Sequence, residues 1–270
     1  MPEGHTIHRL ARDHAAWFAG RTVQVSSPQG RFHDGAALLD GEDLEATDAH
    51  GKHLFHRYAG GRTVHVHLGL FGRFLTHTAP TPPAPRDTVR YRVVGEGRTI
   101  DLVGATTCDL LGPDEVAAIT ARLGPDPLRD GADPDRAWAV VQRRRTPIGR
   151  ALMDQTVIAG VGNVYRAEVL FVHGIHPEVA ADQVTRREWE AIWGTLVAWL
   201  HRGVREQRII TVDPAEVGTP DRRLSRTLYV YRSADCLRCG GEVRRFGLAG
   251  RWAYACETCQ PPPGSDGSRR

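Results

Sequence analysis

The stretch CLRCGGEVRRFGLAGRWAYACETC, residues 236–259, carries the strongest structural signal in this sequence. Two Cys-x2-Cys pairs, Cys236 with Cys239 and Cys256 with Cys259, are separated by 16 residues. That spacing is typical of a tetrahedral zinc site with four thiolate ligands. The residues between the pairs alternate and carry glycines near their middle, which predicts a β-hairpin closed by metal. We call residues 236–259 the cysteine hairpin.

The predicted metal is one structural Zn²⁺, because four cysteines complete the coordination and leave no open position for catalysis. Disulfides are the alternative, but a cytosolic chain disfavours them. Metal binding would supply folding free energy to a hairpin that has little core of its own. The remaining cysteine, Cys108, is expected to be a buried apolar residue and not a ligand.

Upstream of the cysteine hairpin the apolar period is helical. Helices are predicted over residues 136–144, 148–154, 163–173 and 185–205. Before the third of these, Gly160-Val161-Gly162-Asn163 predicts a tight turn into a helix. Backbone N–H groups at such a helix start, together with the Asn163 amide, suit a phosphate group. An ordinary pair of packed helices is the alternative.

The N-terminal half changes from a helical period to a period of two. An amphipathic helix is predicted over residues 3–19, with Gly20 placed to end it. Strands are predicted over residues 22–25, 54–58, 63–68, 89–94 and 99–103, followed by a helix over 113–123. The predicted fold class is therefore α+β, with an N-terminal β-sandwich-like domain that has flanking helices.

Breaker residues between Gly124 and Pro134 mark the best domain boundary. The predicted organisation is an N-terminal domain over 1–123, a linker over 124–134, a helical domain over 135–227, a zinc β-hairpin over 228–260 and a disordered tail over 261–270.

The N-terminus carries unusual chemistry if the initiator Met1 is removed, because Pro2 then becomes a free secondary amine. Terminal α-amines titrate near pH ~8, so part of the population is neutral at physiological pH. Attack on a sugar aldehyde carbon gives an iminium, whose positive nitrogen withdraws electrons. Glu3 beside it could move protons. Many chains begin Met-Pro, so an ordinary terminus is the alternative.

Lys52 is the only lysine, although lysine and arginine together number 35. Lysine offers a compact charge and can lose its proton, whereas arginine cannot. It follows Gly51 and precedes a predicted strand. The next strand ends at Leu70-Phe71, which glycines bracket. Such apolar residues at a loop tip could be wedges pushed into a base stack; burial in the local core is the alternative.

The net charge of +3 says little about partners, but arginine clusters such as Arg143-Arg144-Arg145, Arg222-Arg223 and Arg244-Arg245 suit phosphate groups. Arg251, at the bend of the cysteine hairpin, is placed for one such contact. No apolar run approaches the ~20 residues of a membrane span, and no signal peptide is recognised. We expect a cytoplasmic protein.

In this order the motifs resemble the formamidopyrimidine-DNA glycosylase/endonuclease VIII family of DNA repair enzymes. The resemblance runs from Pro2 to Gln260. It rests on the Pro-Glu-Gly start, His50-Gly51-Lys52, the stretch Gly160–Glu168 and the cysteine hairpin. It implies a bacterial, nucleoid-associated monomer acting on damaged double-stranded DNA, with a catalytic N-terminal domain and a helix–two-turns–helix domain.

The resemblance also implies a bifunctional glycosylase and abasic-site lyase. Pro2 would be the nucleophile at C1′, Glu3 the general acid–base, and Lys52 a phosphate contact that assists catalysis. The strand would then be nicked by β- and δ-elimination.

The remaining implied roles concern DNA binding. Asn163 and Arg251 would hold backbone phosphates, and Leu70 and Phe71 would fill the gap left by an extruded base. Gly4 is closer to the endonuclease VIII branch, whose substrates are mainly oxidised pyrimidines.

Two departures from the family pattern matter. The usual start is Pro-Glu-x-Pro-Glu, but here His5 and Thr6 occupy the fourth and fifth places. Gly69 replaces a larger residue in the wedge. A non-catalytic zinc protein that only binds damaged DNA is the rival class, and an RNA-processing enzyme is a third. Retention of Pro2, Glu3 and Lys52 together favours catalysis.

Overall fold

The computed structural model describes residues 2–217 and 226–264. The chain divides into two compact units, Met1–Arg122 and Leu123–Arg270, here called unit 1 and unit 2. Met1, the Arg222-Arg223 pair and residues 265–270 of the predicted tail lie outside the described residues. Among those described, no helix is both long and apolar enough to cross a membrane.

Unit 1 is a two-sheet sandwich with helices around it. Its elements are α1 Gly4–Phe18, β1 Arg21–Thr22, β2 Gln24–Ser26, α2 His33–Ala37, β3 Asp43–His50, β4 His53–Tyr58, β5 Thr63–His67, β6 Arg73–Thr78, β7 Val89–Gly95, β8 Arg98–Val103, β9 Thr107–Leu111 and α3 Pro113–Ala121. One sheet has the order β1-β3-β4-β5-β9 and the other β2-β7-β8-β6. Their pairings are antiparallel, and apolar side chains of both sheets and α1 share one core.

Strands β3, β6 and β9 were not predicted. In β3 (DLEATDAH) only Leu44 and Ala49 are buried, so its sequence has no apolar alternation. β6 is an edge strand with no fully buried residue. Strand pairing with neighbours, and not their own periodicity, holds these segments in the sheets.

Helix α1 follows the predicted pattern, with Ile7, Leu10 and Phe18 buried against the sheet. Gly20 follows it with φ +72°, the left-handed conformation that glycine adopts without steric cost. Its N–H donates to the carbonyl of Leu44 over 2.8 Å, which fixes the C-terminal end of α1 at the start of β3.

Unit 2 consists of α4 Pro134–Val141, α5 Ile148–Ala151, α6 Asn163–Val172, α7 Arg186–Glu206, β10 Arg244–Leu248 and β11 Arg251–Ala255. Helix α6 is buried from Asn163 to Phe171, so other elements cover it on all sides. Helix α7 begins with a capping box formed by Thr185 and Glu188, which satisfies backbone donors at its first turn.

The cysteine hairpin has the predicted form. β10 and β11 pair from Arg244 with Ala255 to Leu248 with Arg251. Ala249 and Gly250 form the turn, with φ values of 50° and 74°. Strand structure was expected from residue 228 onward, but residues 229–235 form turns and bends.

Candidate active site and metal centre

Pro2 and Glu3 lie at the start of α1. Pro2 is half-buried, whereas Glu3 is 0 % exposed. The Glu3 carbonyl accepts hydrogen bonds from the N–H groups of Thr6 and Ile7, at 2.9 and 3.4 Å. A carboxyl group buried at this position has little access to bulk water, so its proton exchange depends on the groups packed around it.

Lys52 lies in the two-residue turn between β3 and β4. His50 and His53 form the last pair of that ladder, and Gly51 takes φ +59°, which suits a tight hairpin turn. Lys52 is half-buried. The predicted location of the lone lysine, after a glycine and directly before a strand, is confirmed.

The start of α1 and the lysine turn lie at the same end of unit 1. The Gly20 N–H donates to the Leu44 carbonyl and the Thr47 hydroxyl donates to the Ala11 carbonyl, so α1 runs antiparallel to β3. From Ala11 back to Glu3 the helix rises by about 12 Å, and from Thr47 to Gly51 the strand advances by about 13 Å. Glu3 therefore lies at the end of β3 that leads into the turn with Lys52.

The loop 68–72 belongs to the same end, because His53 pairs with His67 at the end of β5. In this loop Leu70 is 46 % exposed and Phe71 is 80 % exposed. Burial in the local core, the competing interpretation, is therefore wrong for these two side chains. They protrude next to the strand end that adjoins Lys52.

Glycines force this protrusion. The Gly72 N–H donates to the Leu68 carbonyl at 3.0 Å, and a Cβ at Gly72 would lie 2.2 Å from that same oxygen. Gly69 has φ +67°, and a Cβ there would lie 1.9 Å from the Thr106 hydroxyl. A larger residue at position 69 would therefore displace Thr106, which explains the departure seen in the wedge.

Histidines surround the lysine turn without adding charge. The His53 Nδ1 and His65 Nε2 atoms are 2.8 Å apart. Burial lowers the pKa of His53 to about 3 and that of His65 to about 4. Burial, and then the Lys52 charge, lower the pKa of His67. These imidazoles are neutral at physiological pH, so they add no positive charge to that of Lys52.

The departure from the family pattern at His5 and Thr6 removes the negative charge of the second glutamate. His5 is buried, and burial together with Arg9 lowers its pKa to about 4. Thr6 is half-buried and its hydroxyl lies 3.2 Å from His5 Nε2. Neutral side chains thus follow Glu3, where the family pattern has a second glutamate.

The four cysteines of unit 2 form a candidate metal centre. The Sγ atoms of Cys236, Cys239, Cys256 and Cys259 all lie within 4.8 Å of one another. Two of the separations are 3.9 Å, between Cys236 and Cys259, and 3.4 Å, between Cys239 and Cys256. Tetrahedral zinc with Zn–S bonds of about 2.3 Å requires sulfur separations of about 3.8 Å. The donor set therefore fits zinc. Cys108, in contrast, is 1 % exposed within the core of unit 1, as predicted.

Asn163 has a different setting from the open helix start that was predicted. It is 6 % exposed, and its Nδ2 donates to the Trp252 carbonyl of β11 at 3.0 Å. The buried Arg166 donates to that carbonyl at 2.8 Å and also to the Asn163 Oδ1. These bonds tie the start of α6 to the cysteine hairpin. Arg251, the neighbour of Trp252, is exposed at the hairpin tip.

Glu168, one turn further along α6, is a structural residue whose role was not predicted. Its buried carboxylate accepts hydrogen bonds from the Thr211 hydroxyl at 2.5 Å and from three consecutive N–H groups, those of Tyr229, Val230 and Tyr231, at 2.7–2.9 Å. Burial raises the pKa of Glu168, while these donors lower it. The motif showed a glutamate on a helix, but its partners lie more than 40 residues away along the chain.

Two family models match this chain, one in each unit. Residues 1–105 match the model of the formamidopyrimidine-DNA glycosylase N-terminal domain, and residues 123–214 match that of the formamidopyrimidine-DNA glycosylase H2TH domain. Endonuclease 8 1 of Mycobacterium tuberculosis is 50 % identical over 267 residues, covering 96 % of this chain and 100 % of that protein. The chain belongs to the formamidopyrimidine-DNA glycosylase/endonuclease VIII family.

More distant members of the family also match this chain over nearly its full length. The formamidopyrimidine-DNA glycosylase of Halorhodospira halophila is 30 % identical over 270 residues, covering 96 % of this chain and all of that one. A Lactococcus lactis Fpg structure in complex with abasic-site DNA has the same fold, with a TM-score of 0.75 at 22 % identity over 96 % of this chain and 99 % of that one. The predicted fold class and the enzyme class, a DNA glycosylase of base excision repair with abasic-site lyase activity, are confirmed.

Proposed function

We propose that this family member excises oxidised bases, mainly pyrimidines, from damaged double-stranded DNA by means of the Pro2 amine. The observation that supports the proposal is that Pro2 and buried Glu3, the Lys52 turn and the exposed Leu70-Phe71 tip lie at the same end of unit 1. These residues come from three separate segments of the chain, and base binding alone does not need all of them together.

The nucleophile in this proposal is the Pro2 nitrogen after removal of Met1. In the unprocessed chain that nitrogen is a tertiary amide without an available lone pair. As a free secondary amine it can attack C1′ of the damaged nucleotide while the bond to the base breaks. Opening of the sugar then gives an iminium, and its positive nitrogen accepts the electrons released when a C2′ proton is lost. Elimination of the 3′ phosphate, and then of the 5′ phosphate, nicks the strand.

Glu3 and Lys52 have complementary roles at this centre. Glu3 acts as the general acid–base that protonates groups on the sugar and removes protons from them. Lys52 contacts the phosphate beside the lesion with a compact ammonium group, a geometry that a forked guanidinium cannot reproduce. The neutral His53, His65 and His67 around it add no positive charge of their own.

Leu70 and Phe71 are assigned to the gap left when the damaged nucleotide leaves the stack. Extrusion costs unstacking energy, and an apolar side chain inserted between bases offsets part of it. The large exposure of Phe71 supports this role, because an exposed phenyl ring at a rigid loop tip has no structural use in unit 1.

We assign binding of the DNA backbone to unit 2. Arg251 at the hairpin tip and Asn163 at the start of α6 bind phosphates; the Asn163 amide has a second N–H besides the one bonded to Trp252. Cys236, Cys239, Cys256 and Cys259 hold one structural Zn²⁺, which stabilises the hairpin that carries Arg251. We further propose that the protein acts as a monomer in the bacterial cytoplasm, on nucleoid DNA.

The preference for pyrimidines rests on two observations. The start Pro2-Glu3-Gly4 is closer to the endonuclease VIII branch, and a relative named Endonuclease 8 1 shares 50 % identity, against 30 % for one named formamidopyrimidine-DNA glycosylase. The absence of a second glutamate at Thr6 is a further difference from the usual family start.

A panel of duplexes with single defined lesions tests the proposal. The purified protein should excise oxidised pyrimidines faster than oxidised purines and leave a nicked strand in each case. Faster excision of oxidised purines would overturn the substrate assignment. Binding without excision on every duplex would favour the non-catalytic alternative.

A further inference from the structure

Trp252 and Arg245 form an exposed stack on one face of the β10–β11 hairpin. Trp252 pairs with Gly247 and Arg245 pairs with Tyr254, so both side chains point to the same side. The Arg245 guanidinium lies 4.4 Å from the centre of the indole ring. Trp252 is nevertheless 52 % exposed, so the arginine covers only part of the ring surface.

The backbone around the indole is fixed. Asn163 and Arg166 both donate to the Trp252 carbonyl, and Tyr254, two residues further on the same face, is buried. Gly247 opposite Trp252 has no side chain, and a Cβ built there would meet no atom within 4 Å. The hairpin therefore anchors the backbone of Trp252 and leaves open space beside its indole.

An exposed indole of this kind fits a nucleobase. Bases stack on tryptophan regardless of sequence, and an arginine next to the ring adds a cation for the phosphates. Arg251 precedes Trp252 along β11 and is exposed. Arg244, by contrast, is paired with Glu257 at 2.7 Å, so it supplies less free positive charge.

We propose that Trp252 and Arg245 form a stacking platform for an unpaired base of the DNA strand that Arg251 holds. Paired bases in a duplex have both faces covered by their neighbours, so only a single-stranded, looped-out or terminal base can use the platform. This inference rests on the DNA binding proposed above. It adds a second base-binding site, on unit 2, to the wedge of unit 1.

The test compares two DNA probes of identical sequence by fluorescence anisotropy: a labelled single-stranded oligonucleotide, and the corresponding duplex with a non-cleavable abasic analogue. Trp252→Ala should weaken single-strand binding by about 5- to 150-fold, the range measured for loss of one base–aromatic stack. The loss on the duplex should be several-fold smaller. Trp252→Phe should recover most of the single-strand affinity.

Two measurements separate stacking from a folding defect. Wild-type tryptophan fluorescence should be quenched on the single strand, and Trp252→Ala should lose that quenching while keeping a full complement of zinc. Leu38→Ala is the matched control, because Leu38 is also 52 % exposed but lies in unit 1; it should leave both affinities unchanged.

The outcomes are distinct. Equal weakening on both probes, or no weakening in Trp252→Ala while the wild type binds both, would overturn the platform and favour a structural role or a protein partner for Trp252. Failure of the wild type to bind either probe would instead overturn the proposed function on which the platform rests.

Discussion

The two units bury polar groups in different ways. Unit 1 contains a neutral chain in its core: His14 Nδ1 lies 3.0 Å from His56 Nε2, His56 Nδ1 lies 3.0 Å from the Tyr91 hydroxyl, and that hydroxyl lies 2.6 Å from the Tyr58 hydroxyl. Burial lowers the pKa of His56 to about 3 and raises the pKa of Tyr91. This histidine–tyrosine network is therefore neutral, although unit 1 also buries an ion pair, Arg92 with Asp101 at 3.3 Å.

In unit 2, several buried polar or charged groups have more than one partner each. Glu168 accepts four hydrogen bonds, Arg166 donates to Trp252, Asn163 and Gly149, and four thiols form one cluster. We therefore expect protonation of buried histidines to affect the stability of unit 1, and metal binding and the Glu168 hydrogen bonds to affect that of unit 2.

Metal removal should have the largest effect and should be confined to unit 2. Chelation, or Cys256→Ser, removes coordination free energy that is about 10–16 kcal/mol in zinc-binding peptides. Hydrogen exchange in residues 226–264 should lose its protection, while β4 and β7 keep theirs. Cys108→Ala is the control, because it changes a cysteine of unit 1 and should leave bound zinc at one per chain. Normal protection of the cysteine hairpin without metal would contradict the assignment.

Glu168→Gln should have the next largest effect. The glutamine amide would direct N–H groups at backbone donors that now bond to a carboxylate, leaving buried donors unsatisfied at a cost of about 3 kcal/mol. Thermal and urea unfolding of unit 2 should shift accordingly. Glu190→Gln changes an exposed carboxylate of α7 paired with Arg186 and should shift the free energy of unfolding by less than about 0.5 kcal/mol. Equal shifts in both variants would mean that the Glu168 contacts add no stability.

The contribution of one buried histidine of unit 1, His56, to acid sensitivity should be the smallest of these effects. The pKa of His56 is about 3 in the folded protein, against 6.5 for an unperturbed histidine, so only the unfolded chain gains its proton between these values. Stability is thus full above pH ~6.5 and falls by about 1.4 kcal/mol per pH unit below it.

Hydrogen exchange in β4 and β7 at pH 7 and 5.5, with excess zinc and correction for intrinsic rates, measures this loss. His56→Gln should reduce the dependence and leave the part due to the other histidines of unit 1 with lowered pKa, such as His53 and His65. His201→Gln, at an exposed position of α7, should leave the dependence intact. A larger loss of protection in unit 2 than in unit 1 would contradict the comparison.

The sequence predicts elements that a local pattern defines and misses those that contacts between distant segments define. The cysteine spacing, the α1 periodicity and the glycine turn before α6 are local patterns, so their elements were predicted. Strand β3 has no apolar alternation, and only its pairing with β1 and β4 defines it. The convergence of Glu3 with Lys52 depends on strand register and helix direction, which periodicity does not contain.

Asn163 shows the limit in unit 2. Its position at a helix start was predicted, but its bond to the Trp252 carbonyl spans 89 residues of the chain. The local motif predicted an open side-chain amide, but Asn163 already bonds to Trp252 and Arg166 inside the fold. Likewise, Leu70 and Phe71 were recognised as a possible wedge, but only the structure separates an exposed tip from a buried one.

The measurement that tests the central claim most directly is borohydride trapping on an abasic or oxidised-pyrimidine duplex. Borohydride reduces an iminium to a stable amine, so a Pro2 intermediate becomes a covalent protein–DNA adduct. The account predicts an adduct on the N-terminal peptide of the processed chain, its loss when an N-terminal tag blocks the amine, and its persistence on a preformed abasic site in Glu3→Gln. An adduct on Lys52, or none on any damaged duplex that the protein binds, would contradict it.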